Sequence, residues 1–173
     1  MNKMFTAVGI LQLVEAGKVE LTAPLGPYLT DYPNREVATE VTIHHLLTHT
    51  GGTGDIFGPE FDAHREELRT LADYVELYGE RGPEFEPGSR WSYGNYGFIL
   101  LGAVIEAVQA FRRKANAAGN LKSDDKQVVK VEKEIVYIVP ADPQVIYVPQ
   151  YNPTVVVVQS APPVYYPTPY PSY

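Results

Sequence analysis

The chain contains no cysteine. Disulfides, thiolate nucleophiles and cysteine-based metal sites are therefore excluded. It also lacks any apolar run near the roughly 20 residues that a membrane-spanning helix needs, so no transmembrane segment is expected. A leader peptide is not evident. The first apolar run is broken by Gln12 and Glu15, and no small-residue cleavage site follows it. With Met1 as the true start, the expected location is the cytoplasm. Positive charge is scarce as well. Fourteen lysines and arginines face 21 acidic residues, for a formal net charge of −7. That balance argues against a nucleic-acid partner held through phosphate contacts. No internal repeat is present.

What the chain does contain is unevenly spread over its 173 residues. Residues 1–107 carry 7 basic and 16 acidic side chains, whereas residues 108–173 carry 7 and 5. The second part also holds 9 of the 15 prolines and 7 of the 13 tyrosines. Such a shift in texture predicts two unlike pieces.

Helical spacing dominates the first piece. Met4, Phe5, Val8, Leu11 and Leu13 with Val14 form one broad apolar face over residues 2–16, and Gly17 is placed to end that helix. Val19-Glu20-Leu21 reads as a short strand or a turn. Pro24, Pro27 and Pro33 keep the next stretch irregular, with Tyr28, Leu29 and Tyr32 as anchors. Thr42 is placed to cap a short helix over residues 41–50 that Gly51-Gly52 ends. An amphipathic helix is expected over residues 62–78, and an apolar, central helix over 98–108. Residues 109–122 are expected to continue as a helix with a basic start at Arg112-Arg113-Lys114, ending near Gly119-Asn120. Residues 126–139 read as a strand or hairpin, and 144–148 and 154–159 as further strands. From Ala161 the Pro/Tyr-rich tail reads as extended, disordered chain without a core. The fold class expected is α+β, helices first and a small β segment after.

The chemistry concentrates in Trp91-Ser92-Tyr93-Gly94-Asn95-Tyr96-Gly97. A phenol and a carboxamide, two residues apart, stand on the last loop before the apolar helix. A phenol passes protons when a nearby cation lowers its pKa, and a carboxamide both donates and accepts. Taken alone, Tyr93 packing by its ring and Asn95 capping the next helix is the simpler account. His45 and His49 have the i, i+4 spacing of helical metal ligands. They lack the glutamate base that accompanies that pattern, so no metal and no cofactor are expected. His64 and the Glu66-Glu67 pair read as solvated surface.

Four features together carry a resemblance. They are Lys3 in the first turn of the first helix, the run Thr42-Ile43-His44-His45-Leu46-Leu47-Thr48-His49-Thr50-Gly51-Gly52, the pair Pro87-Gly88, and Tyr93-Gly94-Asn95-Tyr96-Gly97. Over residues 1–106 they resemble the serine β-lactamase-like hydrolases, which include class C β-lactamases, D-alanyl-D-alanine peptidases and esterases. The resemblance implies a partial helical lobe of that fold and acyl-enzyme chemistry on a small-molecule β-lactam, peptide or ester. It implies Lys3 as the lysine of a Ser-x-x-Lys motif and Tyr93 as general base and then general acid. Asn95 would orient Lys3 and the substrate amide. It also implies a periplasmic or secreted setting. The serine of the motif would stand three residues before Lys3, ahead of Met1, and the family's late Lys-Thr-Gly-type motif is missing. Lys3 and Tyr93 are therefore expected to be vestigial and the chain inactive as it stands, with Ser89 and Ser92 poorly placed to substitute.

From Ala107 the sequence is similar to an uncharacterised bacterial envelope family, domain of unknown function 3300. That likeness rests on residues 108–123 and on the run Pro140-Ala141-Asp142-Pro143-Gln144-Val145-Ile146-Tyr147-Val148-Pro149-Gln150-Tyr151-Asn152-Pro153. The expected organisation is thus 1–106 as a helical hydrolase fragment, 107–160 as a helix with short strands, and 161–173 as an extended tail. The rival readings are a non-catalytic envelope protein that binds a protein partner through its C-terminal strands, or a fusion product without a function of its own.

Overall fold

The computed structural model describes residues 2–142 apart from Asn120 and Lys126. The strand candidates at 144–148 and 154–159 and the Pro/Tyr tail lie outside the described residues. Within them the fold is α+β: six helices, then one antiparallel hairpin. The helices are α1 (Lys3–Glu15), α2 (Arg35–Glu40), α3 (Ile43–Leu47), α4 (Pro59–His64), α5 (Leu71–Tyr78) and α6 (Tyr96–Ala117). The strands are β1 (Gln127–Glu132) and β2 (Ile135–Pro140), paired with Gln127 opposite Pro140 and Glu132 opposite Ile135. No described helix is long and apolar enough to cross a membrane.

The axis of the molecule is α6, which touches α1, α3, α5 and β2. Tyr96, Gly97, Leu100, Leu101 and Val104 recur on one helical stripe and are buried. Ile10 and Leu13 of α1, Ile43 and Leu46 of α3 and Tyr78 of α5 complete the same core. The buried phenols all find partners. Tyr78 donates to the Ile56 carbonyl at 3.0 Å, and the Tyr32 and Tyr96 hydroxyls meet at 3.2 Å. This matters because an unpaired buried hydroxyl would cancel much of what its ring contributes.

Several expected elements take a different form. Residues 62–78 are two helices, not one. Thr70 accepts from Asp73 N while Asp73 accepts from the Thr70 and Arg69 amides, so a fresh helix starts at Leu71. The apolar helix does continue past Gln109, as expected, but as an α6 that already begins at Tyr96 and ends at Ala117, ahead of Gly119 at φ 72°. The strand or hairpin expected over 126–139 is the hairpin of β1 and β2, with Lys133 at φ 55° in its turn. Residues 19–21 form no strand among the described residues. Helix α2 was hidden by its length. It is set by Asn34, whose side chain accepts from Val37 N at 2.9 Å and donates to the Glu80 carbonyl, joining the start of α2 to the end of α5. Gly17, at φ 63°, follows α1 as expected.

The broad face expected of α1 divides. Ile10 and Leu13 face α6, and a Cβ at Gly9 would lie 3.0 Å from Ile105 Cδ1. Met4, Phe5, Val8 and Leu11 stay exposed. A helix that is apolar nearly all round gives a period but not a choice of face.

The hairpin docks on the far half of α6. Val136 N–H donates to Gln109 Oε1, and the Val136 carbonyl accepts from Arg112 Nη1, each at 3.3 Å. Arg113 reaches the Glu134 carbonyl at 3.1 Å, and the Val136 side chain is buried. The edge of β2 is thus closed at Val136 by helix side chains.

Because α1, α3 and α5 all pack on α6, Leu100→Ala is expected to lower unfolding free energy by about 2–5 kcal/mol. Urea denaturation followed by circular dichroism measures it. A loss under about 1 kcal/mol would show that α6 is not the packing axis.

Candidate active site

Two loops are zipped together before any side chain acts. Ser92 N donates to the His49 carbonyl at 2.9 Å, Gly88 N to Thr50 O at 2.8 Å and Glu84 N to Gly52 O at 2.8 Å. Helix α3 feeds the first of these loops. Its Thr42 accepts from His45 N at 3.1 Å, while Thr42 N donates back to His45 Nδ1 at 3.3 Å. Histidine here does the work usually given to glutamate or glutamine in a capping box. His49, in the left-handed region at φ 56°, turns the chain out of α3 two residues before the expected Gly51. Farther along, the loops touch backbone to backbone. A Cβ at Gly94 would stand 2.2 Å from the Gly54 carbonyl oxygen, so only glycine allows this approach.

This zip delivers Tyr93 and Asn95 to the start of α1. Lys3 Nζ donates to Asn95 Oδ1 at 2.5 Å. The same ammonium lies 5.0 Å from the centre of the Tyr93 ring and 5.6 Å from that of Phe98. Lys3, Tyr93 and Asn95 are therefore one cluster. Asn95 precedes the first residue of α6 but makes no side-chain capping bond, contrary to the simpler account of it. Its carboxamide is left to bridge. Oδ1 takes Lys3, and Nδ2 donates to Asp55 Oδ1 at 2.8 Å.

Asp55 is the residue that the sequence reading missed. The same Oδ1 also accepts from Asn95 N at 3.1 Å and from Ile56 N at 2.7 Å. Burial would raise its pKa. The hydrogen bonds from the Asn95 side chain and from the Ile56, Asn95 and Phe57 backbones outweigh burial and hold the carboxyl below the usual carboxylate range. An isolated aspartate in a glycine-rich loop carries the signature of a turn, so only the loop zip reveals its neighbour.

The histidines have other work than metal binding. The His49 ring packs 4.8 Å from Tyr93 and 5.2 Å from Phe98, beside the Lys3 ammonium. Burial first, then the Lys3 charge, lowers its pKa. His45 is lowered by burial and by His44, with a smaller opposing effect from a backbone hydrogen bond. Both rings therefore favour the neutral form, which His45 needs in order to accept at Nδ1. Among the described residues, no group of three or more His, Asp or Glu side chains is placed to hold a metal ion. Ser89 Oγ is committed to the Glu86 carbonyl at 2.6 Å, and Ser92 lines a narrow pocket with His45 and His49.

A folded pKa below the ordinary 6.5 means that the folded chain binds fewer protons than the unfolded chain. Stability should therefore rise with pH up to about 6.5 and fall as acid charges the two rings. Thermal midpoints measured from pH 5 to 7.5 are expected to climb and then level. His49→Asn, which tolerates the left-handed backbone, should flatten part of that climb. A midpoint independent of pH over this range would refute the burial of these rings in neutral form.

Two family profiles match the chain and overlap within α6. The profile of the Beta-lactamase family matches residues 1–117, and that of a family described as Protein of unknown function (DUF3300) matches residues 100–173. Penicillin-binding protein 4* of Bacillus subtilis (strain 168) is 34% identical over 111 residues, covering 61% of this chain and 23% of that protein. Esterase EstB of Burkholderia gladioli is 35% identical over 118 residues, covering 61% and 30%. Among solved structures, a penicillin binding protein from Bacillus halodurans is 42% identical, with a TM-score of 0.53. The match covers 66% of this chain and 37% of that one. A D-stereospecific amidohydrolase from Streptomyces sp. is 32% identical, with a TM-score of 0.54, over 63% and 36%. The chain spans 23% and 30% of the two curated relatives and little over a third of the two solved ones. With that profile laid over two thirds of its length, and with a helical lobe like those of solved relatives, the chain belongs to the β-lactamase-like family of serine hydrolases.

Proposed function

We propose that residues 1–106 hold the acid–base half of a serine acyl-transfer site. Lys3 and Tyr93 are its proton-handling pair, and Asn95 orients both Lys3 and the substrate amide. The carrying observation is the Lys3 ammonium seated on Asn95 Oδ1 and over the Tyr93 ring. In this reading the Tyr93 phenol takes and returns a proton beside the Lys3 ammonium. Tyr93 is 54% exposed, so a substrate can reach it. The substrates in view are a β-lactam, a D-amino-acid peptide or an ester, from the names of the relatives and the resemblance.

This 173-residue chain forms no acyl-enzyme of its own in our reading. Among the described residues, no serine hydroxyl is recorded as bonding Lys3 or Tyr93, and Ser89 is turned to a backbone carbonyl. We further place the end of the hydrolase piece near Glu106. Residues of α6 up to Val108 pack on the lobe, whereas Gln109, Arg112 and Arg113 serve the hairpin. In our reading 107–160 is a separate envelope-family unit and 161–173 its tail; the attachment of the hairpin to Gln109, Arg112 and Arg113 supports a change of partner along α6.

Two measurements on the intact chain test the reading. Saturation-transfer NMR with benzylpenicillin and with p-nitrophenyl butyrate is expected to report weak binding of at least one. Asn95→Ala or Lys3→Met should weaken it about tenfold, the scale of one charge-assisted hydrogen bond. Binding of neither ligand, or binding that both variants leave intact, would remove the site. Intact-mass spectrometry after incubation with a fluorescent penicillin and a fluorophosphonate should show an unchanged mass. A stable adduct on any residue would overturn the proposed inactivity.

A further inference from the structure

We propose that Asp55 is a positioning residue for Lys3, acting through Asn95 by fixing which end of the Asn95 carboxamide faces the ammonium. The inference rests on the reading of Lys3 and Asn95 given above and adds a residue to it.

A carboxamide has two ends of similar shape and opposite hydrogen-bonding sense. In the cluster each end meets a group that accepts only one sense. An ionised carboxylate has acceptors and no donor, and an ammonium has donors and no acceptor. Asn95 Nδ2 faces Asp55 Oδ1 at 2.8 Å, and Asn95 Oδ1 faces Lys3 Nζ at 2.5 Å. A half-turn about the last side-chain bond would set oxygen against carboxylate and NH2 against NH3+. Both contacts would repel, so the carboxylate selects one rotamer and the ammonium confirms it.

Asp55 is itself held firmly enough to do this. Ile56 N and Asn95 N both donate to the oxygen that Nδ2 meets, so one atom gathers three N–H groups. Its loop cannot drift, because Gly54 lies against Gly94 with no room for a Cβ. The result is a polar chain, carboxylate to carboxamide to ammonium, in which each bond polarises the next. The Lys3 protons not given to Asn95 then point in fixed directions, toward the side where the Tyr93 ring lies. Without Asp55, the ammonium alone would be left to hold the carboxamide's orientation.

The test reads Lys3 directly and does not need catalysis. The intact chain is labelled with limiting acetic anhydride, and the Lys3 peptide is quantified by mass spectrometry against exposed Lys18. Asp55→Ala is expected to raise Lys3 labelling about tenfold, the scale of one charge-assisted hydrogen bond released. Asp55→Asn keeps an acceptor oxygen in place and should stay within about threefold of the parent. Asn95→Ala should match Asp55→Ala, and the double variant should go no further than Asn95→Ala alone, because the effect travels through that residue. Where Asp55→Ala loses its circular dichroism spectrum, Asp55→Ser, too short to reach Nδ2, is read in its place.

Labelling of Lys3 unchanged by loss of the carboxylate overturns the proposal. So does an Asp55 effect that persists in full without the Asn95 carboxamide, which marks a structural role, and so does Asp55→Asn behaving like Asp55→Ala. Failure of the substrate-binding measurement would remove the enzymatic reading and leave this labelling pattern standing, so the two are told apart.

Discussion

The contact between Lys3 Nζ and Asn95 Oδ1 joins residues 92 positions apart, and the lobe is arranged around it. Lys3 is the first residue of α1, where the aligned peptide dipoles disfavour a cation, and the first turn holds no acidic residue to offset it. What compensates comes from elsewhere in the chain: a carbonyl oxygen at 2.5 Å and the faces of two rings. A helix that breaks its own electrostatic preference in this way is the kind of local inconsistency that marks a working site. The remaining architecture then has a purpose. Lys3 meets Asn95 and Gly9 meets Ile105, so α1 and α6 run in the same direction and bring their starts together. The loop zip does the rest, setting Asn95 at the height of Lys3.

Much of this could be read before any coordinates, and the reasons are specific. Lys3, Tyr93 and Asn95 were singled out through the family resemblance, and the fold does bring these three side chains together. Thr42 was legible as a cap because a hydroxyl just ahead of a helical period has one obvious use. Other features depended on geometry that no window of sequence contains. Asp55 matters only because residues 49–54 and 82–92 pair. The break between α4 and α5 is made by Thr70 and Asp73, a capping box inside what otherwise looks like a continuous amphipathic period. Helix α2 is too short to show a period at all. For α1 the expectation of one apolar face was too coarse, since the exposed side at Met4, Phe5, Val8 and Leu11 is as apolar as the buried one.

His45 and His49 show how rings of one residue type are engaged in different ways. Their spacing invites a metal, yet each ring is engaged by its neighbours. His45 needs a lone pair at Nδ1 for the Thr42 amide, and His49 fills the space between Tyr93 and Phe98. Protonation would remove the first bond and set a second cation beside Lys3. Burial therefore does something useful here: it keeps the ammonium as the one strong positive charge near Tyr93.

The second piece of the chain is joined to the first by a helix, and helix physics explains why the join is tolerated. Extending an existing helix requires no new nucleation, so α6 can run from Tyr96 to Ala117 across a change of partner. Only the outward requirement changes. Before Val108 the helix must be apolar to meet α1, α3 and α5. After it, Gln109 supplies the acceptor and Arg112 the donor that an exposed strand edge lacks. The two halves of α6 thus solve different problems with one backbone. Among the described residues the hairpin bonds to Gln109, Arg112 and Arg113 on the later half of α6, whereas the Lys3, Asn95 and Asp55 cluster sits at its start.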